Sequence, residues 1–453
     1  MIFTLKAISW LETILYGRFG QKFTLVESDS VIEMSLPNSN GLILFDNLQK
    51  IFHQSYSDFP CDVWDAAVEG FDPVLDQLIP APGNIRLPLV EKNEQGHVVH
   101  YDVLGLTYWM LSRQEEVGRL DLDDHERFPA VSSHAFKHGY LERPIVDEWL
   151  HILGQITKIQ WPNITLKKHM FDIKVSHDVD SPSQYAFTPW SLVFRMMVGH
   201  LIKRRDIKAF FTAPIVKLVT RKNLNRFDPF NTFNWIMDLS EQNGLKSAFY
   251  FICGRSFKGY DAEYELEHPV IRNLINKIHK RGHEIGLHPS YNTFYNPELI
   301  AKEALHLRSV CSEVKIKQKQ WGGRMHYLRW KQPDTLYGWE AAGMDYDSTL
   351  SYADRPGFRC GTCHEYPAFD PVVQKQLKLR IRPLIVMDST IIDSAYLGLG
   401  LSEEAHMKII KLKNNCQAVD GCFTFLWHNS NLSTFDEKKF YNSVLDNILE
   451  FRK

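Results

Sequence analysis

Two acids one residue apart, Asp178 and Asp180, follow the apolar run at residues 171–175 in the stretch Val175-Ser-His-Asp-Val-Asp180. Side chains alternate along a strand, so acids at this spacing share a face and project together from the strand's carboxyl end. Paired carboxylates there suit a general base beside a metal ligand: one holds a cation while the other takes a proton. An Asp-x-Asp on its own is usually a solvated turn. Here the same design recurs in four later segments, each an apolar run that ends in polar groups: residues 283–292 with His288, residues 321–327 with Arg324, residues 343–349 with Asp347, and residues 422–429 with His428.

These groups need elements to hold them. From residue 168 onward, strand-like runs at 171–175, 247–253, 284–287, 320–323, 381–387 and 422–427 alternate with amphipathic helices such as 270–280, stopped by Gly282, and 297–314. That alternation predicts a parallel sheet with crossover helices, open or closed. Residues 1–165 are expected to form a separate α/β domain that ends near Trp161-Pro162-Asn163. Helical spacing in it is clearest at 101–116 and 144–156, and no chemistry is legible there. Its acidic cluster, Asp121, Asp123 and Asp124, reads as a solvated turn, because no carboxylate follows at the spacing of a calcium loop.

In order, the five segments resemble the motifs of the polysaccharide deacetylase, or NodB-homology, family: Asp178 and Asp180; His288 to Asn292; Arg324-Met-His-Tyr327; the Asp347 segment; and Leu426-Trp-His428. The resemblance covers roughly the last two thirds of the chain. It implies a distorted (β/α) barrel of about seven parallel strands at residues 166–453, with its chemistry at the strands' carboxyl ends. It also implies a divalent metal, zinc by preference, held by Asp180, His288 and Asn292. Asp178 would be the base and Arg324 its ion-pair partner, Tyr327 would supply an oxyanion-binding N–H, and His428 would be the general acid. Asp347 or Asp388 would orient His428. Two departures stand out. Asn292 occupies the place of a second imidazole, and an amide oxygen is the weaker zinc ligand, so either affinity falls or another residue completes the set. His326 replaces a proline, which alters the loop that presents Tyr327. His177 and His283 lie nearby in sequence but do not match the family's ligands.

The activity expected is hydrolysis of a non-peptide carbon–nitrogen bond, foremost N-deacetylation of an acetamido sugar in surface-polysaccharide metabolism. Ring opening of a cyclic amide and catalytically silent glycan binding are the other readings. Lysine and arginine total 52 against 54 aspartate and glutamate, a balance that predicts neither nucleic acid nor an acidic polymer as a partner. Seven scattered cysteines and no recognisable leader predict a cytoplasmic protein. Cys360-Gly-Thr-Cys363-His364 has the form of a haem-attachment motif but is read as a structural turn. One basic, apolar insertion stands apart at residues 190–227. Nine cations, including Lys203, Arg204 and Arg205, face a single acid, Asp206. It is expected to lie on an anionic membrane as a helical lid and to give access to a lipid-linked sugar.

Overall fold

In the computed structural model, residues 2–203 and 205–449 are described. The first third carries β1 (Thr24–Ser28), β2 (Val31–Ser35), β3 (Leu42–Phe45), β4 (Cys61–Asp65), β5 (Leu78–Pro82), β6 (Val90–Lys92) and β7 (Gly96–Val99). Five of these pair in the order β1-β2-β3-β7-β6, and β4 pairs with β5. Alternation decides the faces: in β2, Ile32 and Met34 point inward while their neighbours are part-exposed. The helix Val103–Leu111 is buried on every side, and the Asp102 carboxylate caps it by accepting from the Gly105 N–H at 2.7 Å.

The remainder forms one nine-stranded sheet from β8 (Asp172–Val179), β9 (Ser247–Ile252), β10 (Glu284–His288), β11 (Gly322–Gly323), β12 (Tyr346–Asp347), β13 (Tyr366–Asp370), β14 (Lys375–Ile381), β15 (Val386–Met387) and β16 (Cys422–Leu426). Their order is β13-β14-β12-β11-β10-β9-β8-β16-β15. Every neighbouring pair is parallel except β13 with β14. All six residues of β9 are buried, as befits a parallel strand covered on both faces.

The expectation of a closed barrel of about seven parallel strands is met in its mixed α/β character and parallel pairing. The ladder itself has two ends, since no pairing joins β13 to β15 among the described residues. The run expected as one strand at 381–387 is divided. The Arg382 N–H donates to Asp347 O at 2.9 Å, on the β12 side, whereas the Ile385 N–H donates to Thr424 O at 3.0 Å, on the β16 side. The chain thus crosses between the two ends of the ladder within a few residues.

The first third packs onto this sheet through a continuous apolar core. Trp10, in the helix Leu5–Phe19, is fully buried, stacks on Phe369 of β13 at 4.7 Å and donates its indole N–H to Pro367 O at 2.9 Å. Arg359 and Glu116 form a buried ion pair at 2.6 Å across the same boundary. The turn at Cys360–His364 packs against the first third and not beside the cleft. Asp147, in the helix Ile145–Gln160, accepts from the Thr362 hydroxyl at 2.8 Å and the Cys363 N–H at 3.1 Å. Asp147, Cys363 and His364 are close enough to share a cation. Arg18 already stands 3.5 Å from that carboxylate and opposes one.

Candidate active site

The chemistry-bearing side chains gather where the parallel strands end. Asp178 and Asp180 come from the end of β8, His288 from the end of β10, Arg324 and His326 from the loop after β11, Asp388 from just past β15, and His428 from just past β16. Close strand approach helps to place them: a Cβ on Gly323 would lie 1.8 Å from Leu287 O, so only glycine allows β11 this near β10. The next side chain, Arg324, is fully buried. Its Nη1 donates to Asp178 Oδ1 at 2.8 Å, its Nη2 to Ser176 Oγ at 2.9 Å and its Nε to Ser348 O at 2.9 Å. A guanidinium clamped in this way pairs with the Asp178 carboxylate and fixes its aim. Asp178 Oδ2 is left facing His288 Nε2 at 3.8 Å.

Each imidazole beside Asp180 is fixed by a backbone carbonyl. His288 Nδ1 lies 2.6 Å from Arg324 O, and His326 Nε2 lies 2.9 Å from Tyr260 O. A carbonyl only accepts, so those nitrogens carry the protons and the opposite ring nitrogens carry lone pairs. These lone-pair nitrogens, His288 Nε2 and His326 Nδ1, are 2.9 Å apart and lie 3.2 and 3.6 Å from Asp180 Oδ1. That carboxylate oxygen is buried without a hydrogen-bond partner of its own. These three converging donor atoms could hold a cation, and two imidazoles with one carboxylate suit zinc or a similar divalent ion. Carbonyl partners on the far ring nitrogens are the usual support for such ligands.

His428 forms a second unit. Its Nδ1 lies 2.7 Å from Asp388 Oδ1, while the other Asp388 oxygen accepts from the His428 backbone N–H at 2.8 Å and from Asn431 Nδ2 at 2.9 Å. His428 Nε2 points into the cleft, 3.7 Å from Asp180 Oδ2. Burial works against the charged form of every group here. For His428 it is outweighed, chiefly by the Asp388 carboxylate, and the imidazole is pushed up to about 10. For Asp180 burial is outweighed by His326, His288 and His428, which hold the carboxyl well below its usual range. Burial likewise opposes the raised value of His288, which Asp178 and Asp180 produce, and it dominates at His326, which is lowered.

Two expected site residues are not brought to this cluster. Asn292 is turned away, because its Oδ1 accepts from Arg329 Nη1 at 3.0 Å and its N–H donates to Ser256 Oγ at 2.8 Å. An amide oxygen engaged by a guanidinium is a poor metal donor, and His326 supplies the third donor atom instead. Asp347 is buried and turned to Thr349, whose N–H donates to it at 2.9 Å, so the carboxylate beside His428 is Asp388. Tyr327 lines the cleft.

Arg127 was not singled out in the sequence. It reaches the cleft from the first third, held by Asp123 Oδ2 at 2.8 Å, and donates to the Tyr327 carbonyl at 2.8 Å. Tyr327 and Leu328 both have left-handed backbones, φ 61° and 55°. Non-glycine residues hold that conformation only when their surroundings enforce it. Arg329 adds to the grip, with Nε donating to His125 O at 2.8 Å. The cleft has a volume of about 350 Å³, and Tyr260, Tyr327, Met387 and Tyr396 stand in its wall.

Residues 11–162 match a family of unknown function, DUF7033. Two solved structures are similar to the chain. One is the crystal structure of a "putative polysaccharide deacetylase from Mycobacterium smegmatis", 13% identical with a TM-score of 0.41, covering 63% of this chain and 86% of that one. The other is PuuE allantoinase, 10% identical with a TM-score of 0.37, covering 63% of this chain and 85% of that one. No curated protein matches.

Proposed function

We propose that this protein is a metal-dependent hydrolase of non-peptide carbon–nitrogen bonds, and that its substrate is an acetamido sugar from which it releases acetate. The observation that carries the reading is the convergence of His288 Nε2, His326 Nδ1 and Asp180 Oδ1, with a clamped carboxylate and an imidazole–carboxylate pair beside it. A divalent ion held by these three would polarise the amide carbonyl and acidify a water. Asp178 takes the proton from the attacking water, with Arg324 keeping it aimed. As the carbon–nitrogen bond breaks, His428 gives its Nε2 proton to the departing amine, and Asp388 stabilises the imidazolium. The Tyr327 N–H, on the turn that Arg127 grips, is the donor for the developing oxyanion. Tyrosine rings around the cleft offer apolar faces to a sugar ring together with hydroxyls for its polar edge.

Two measurements test this together: metal analysis of the purified protein, and acetate release from a panel of N-acetylhexosamines and their glycans. Stoichiometric zinc and acetate release abolished by a chelator are expected. A metal-free, chelator-resistant enzyme, or one that opens cyclic ureides and releases no acetate, would overturn the proposal.

A further inference from the structure

The insertion after β8 folds as two antiparallel helices, Trp190–Ile202 and Ile207–Val219. They pack on one another around their own small core of Val193, Ala213 and Val216 with Tyr185, apart from the main core. Their outer surface is apolar as well. Phe194, Val198 and Leu201 on the first helix, and Ile207, Phe211 and Ile215 on the second, recur at three- and four-residue spacing and are all exposed, Phe194 by 57% and Phe211 by 59%. Residues at that spacing form one stripe on each helix. A contiguous apolar surface of this kind marks an interaction face.

Charge identifies the occupant. Arg195, Lys203, Arg205 and Lys208 are exposed around the stripe and the hairpin tip, and Arg221, Lys222 and Arg226 follow its base. Arg204 lies outside the described residues. The single acid, Asp206, caps the second helix by accepting from the Ala209 N–H at 2.8 Å. An apolar stripe rimmed by cations fits anionic lipid headgroups over an acyl interior. Thirteen residues of helix span about 20 Å, short of a bilayer's hydrocarbon thickness, so each helix would lie in the interface. Among the described residues, no helix is long and apolar enough to cross a membrane.

We infer that this hairpin docks the protein on an anionic lipid bilayer and holds the end of the sheet that carries Asp180 and His428 against it. The orientation follows from how the hairpin is rooted. It leaves directly after Asp180 and returns beside the residue that follows His428: Asn429 Nδ2 donates to Ser181 O at 3.0 Å and to Phe230 O at 2.9 Å, and the Thr232 hydroxyl donates to Asn429 O at 2.9 Å. The inference stands independently of the hydrolytic reading.

The test is co-sedimentation of the full chain with phosphatidylcholine vesicles and with vesicles that also contain phosphatidylglycerol, at low and high salt. Binding to the anionic vesicles alone, weakened by salt, is expected. The triple variant Lys203→Glu, Arg205→Glu, Lys208→Glu should bind them on the order of 100-fold more weakly or worse. Phe194→Ser with Phe211→Ser should also reduce binding. All five side chains are exposed, so the circular dichroism of both variants should match the parent. Equal binding to both vesicles, no binding to either, or unchanged binding in both variants would overturn the inference. So would a concentration-dependent dimer that the two serine substitutions abolish while vesicle binding persists.

Discussion

Replacing His326 with alanine isolates the donor that distinguishes this cluster from the expected one. Zinc bound by four ligands is worth about 10–16 kcal/mol at neutral pH, or about 2.5–4 kcal/mol per ligand when shared evenly. His326→Ala should therefore weaken zinc binding by about 100- to 1,000-fold. Its ring nitrogen stands 2.9 Å from His288 Nε2, and among the described residues it completes the one three-donor cluster that includes Asp180 and His288. Asn292→Ala should change zinc affinity by less than about threefold, because the carbonyl it removes serves Arg329. The assay is calorimetric titration of zinc into chelator-stripped protein, with thermal melts of both metal-free variants to show that they fold. A loss of affinity in Asn292→Ala that matched or exceeded the loss in His326→Ala would refute the assignment.

Three further outcomes are expected. Asp178→Asn and His428→Ala should each lower kcat by about two to four orders of magnitude while metal content is kept, as single-turnover acetate release would show. Arg127→Ala should lower kcat by about 10- to 100-fold through a misplaced Tyr327 turn, with zinc affinity unchanged and partial recovery in Arg127→Lys; loss of the metal instead would remove Arg127 from this role. His134 lies buried with Nδ1 on the Tyr140 hydroxyl at 2.6 Å and Nε2 on Phe59 O at 3.1 Å, and burial lowers its pKa to about 3. With the folded value depressed, the unfolded chain alone takes up this proton below about pH 6.5. Its contribution to stability is therefore present above that pH and declines by about 1.4 kcal/mol per unit as pH falls toward 3. Denaturant melts at pH 7 and 5 should show a smaller acid loss in His134→Gln than in the parent.

What could be read from the sequence was set by local geometry. Asp178 and Asp180 sit at a strand end with the spacing that turns both toward His288, and β8, β10 and β16 lie where apolar runs were expected. His326 as a donor was not legible, because its reach depends on the turn at Tyr327 and Leu328 and on the Tyr260 carbonyl, 66 residues away in sequence. Its replacement of a proline signalled a changed loop, though not which way the ring would point. Arg127 was hidden for the same kind of reason. Its neighbouring acids looked like solvent-facing charge, and only tertiary packing shows that Asp123 steadies a guanidinium reaching the cleft. The choice between Asp347 and Asp388 also depended on side-chain direction, which strand periodicity does not supply.

The crossing between β14 and β15 bears on the acid as well as on the sheet. Where the ladder is interrupted, the backbone lacks the pairing on both sides that stiffens a central strand, and Asp388 follows directly after that stretch. Its carboxylate then binds the His428 N–H, the His428 ring and Asn431, all on the β16 side. The Asp388–His428 pair is consequently also a mechanical staple across this interrupted stretch. Asp388→Asn should therefore accelerate amide hydrogen exchange at residues 382–387 along with its effect on turnover, so that proton transfer and local rigidity share one side chain.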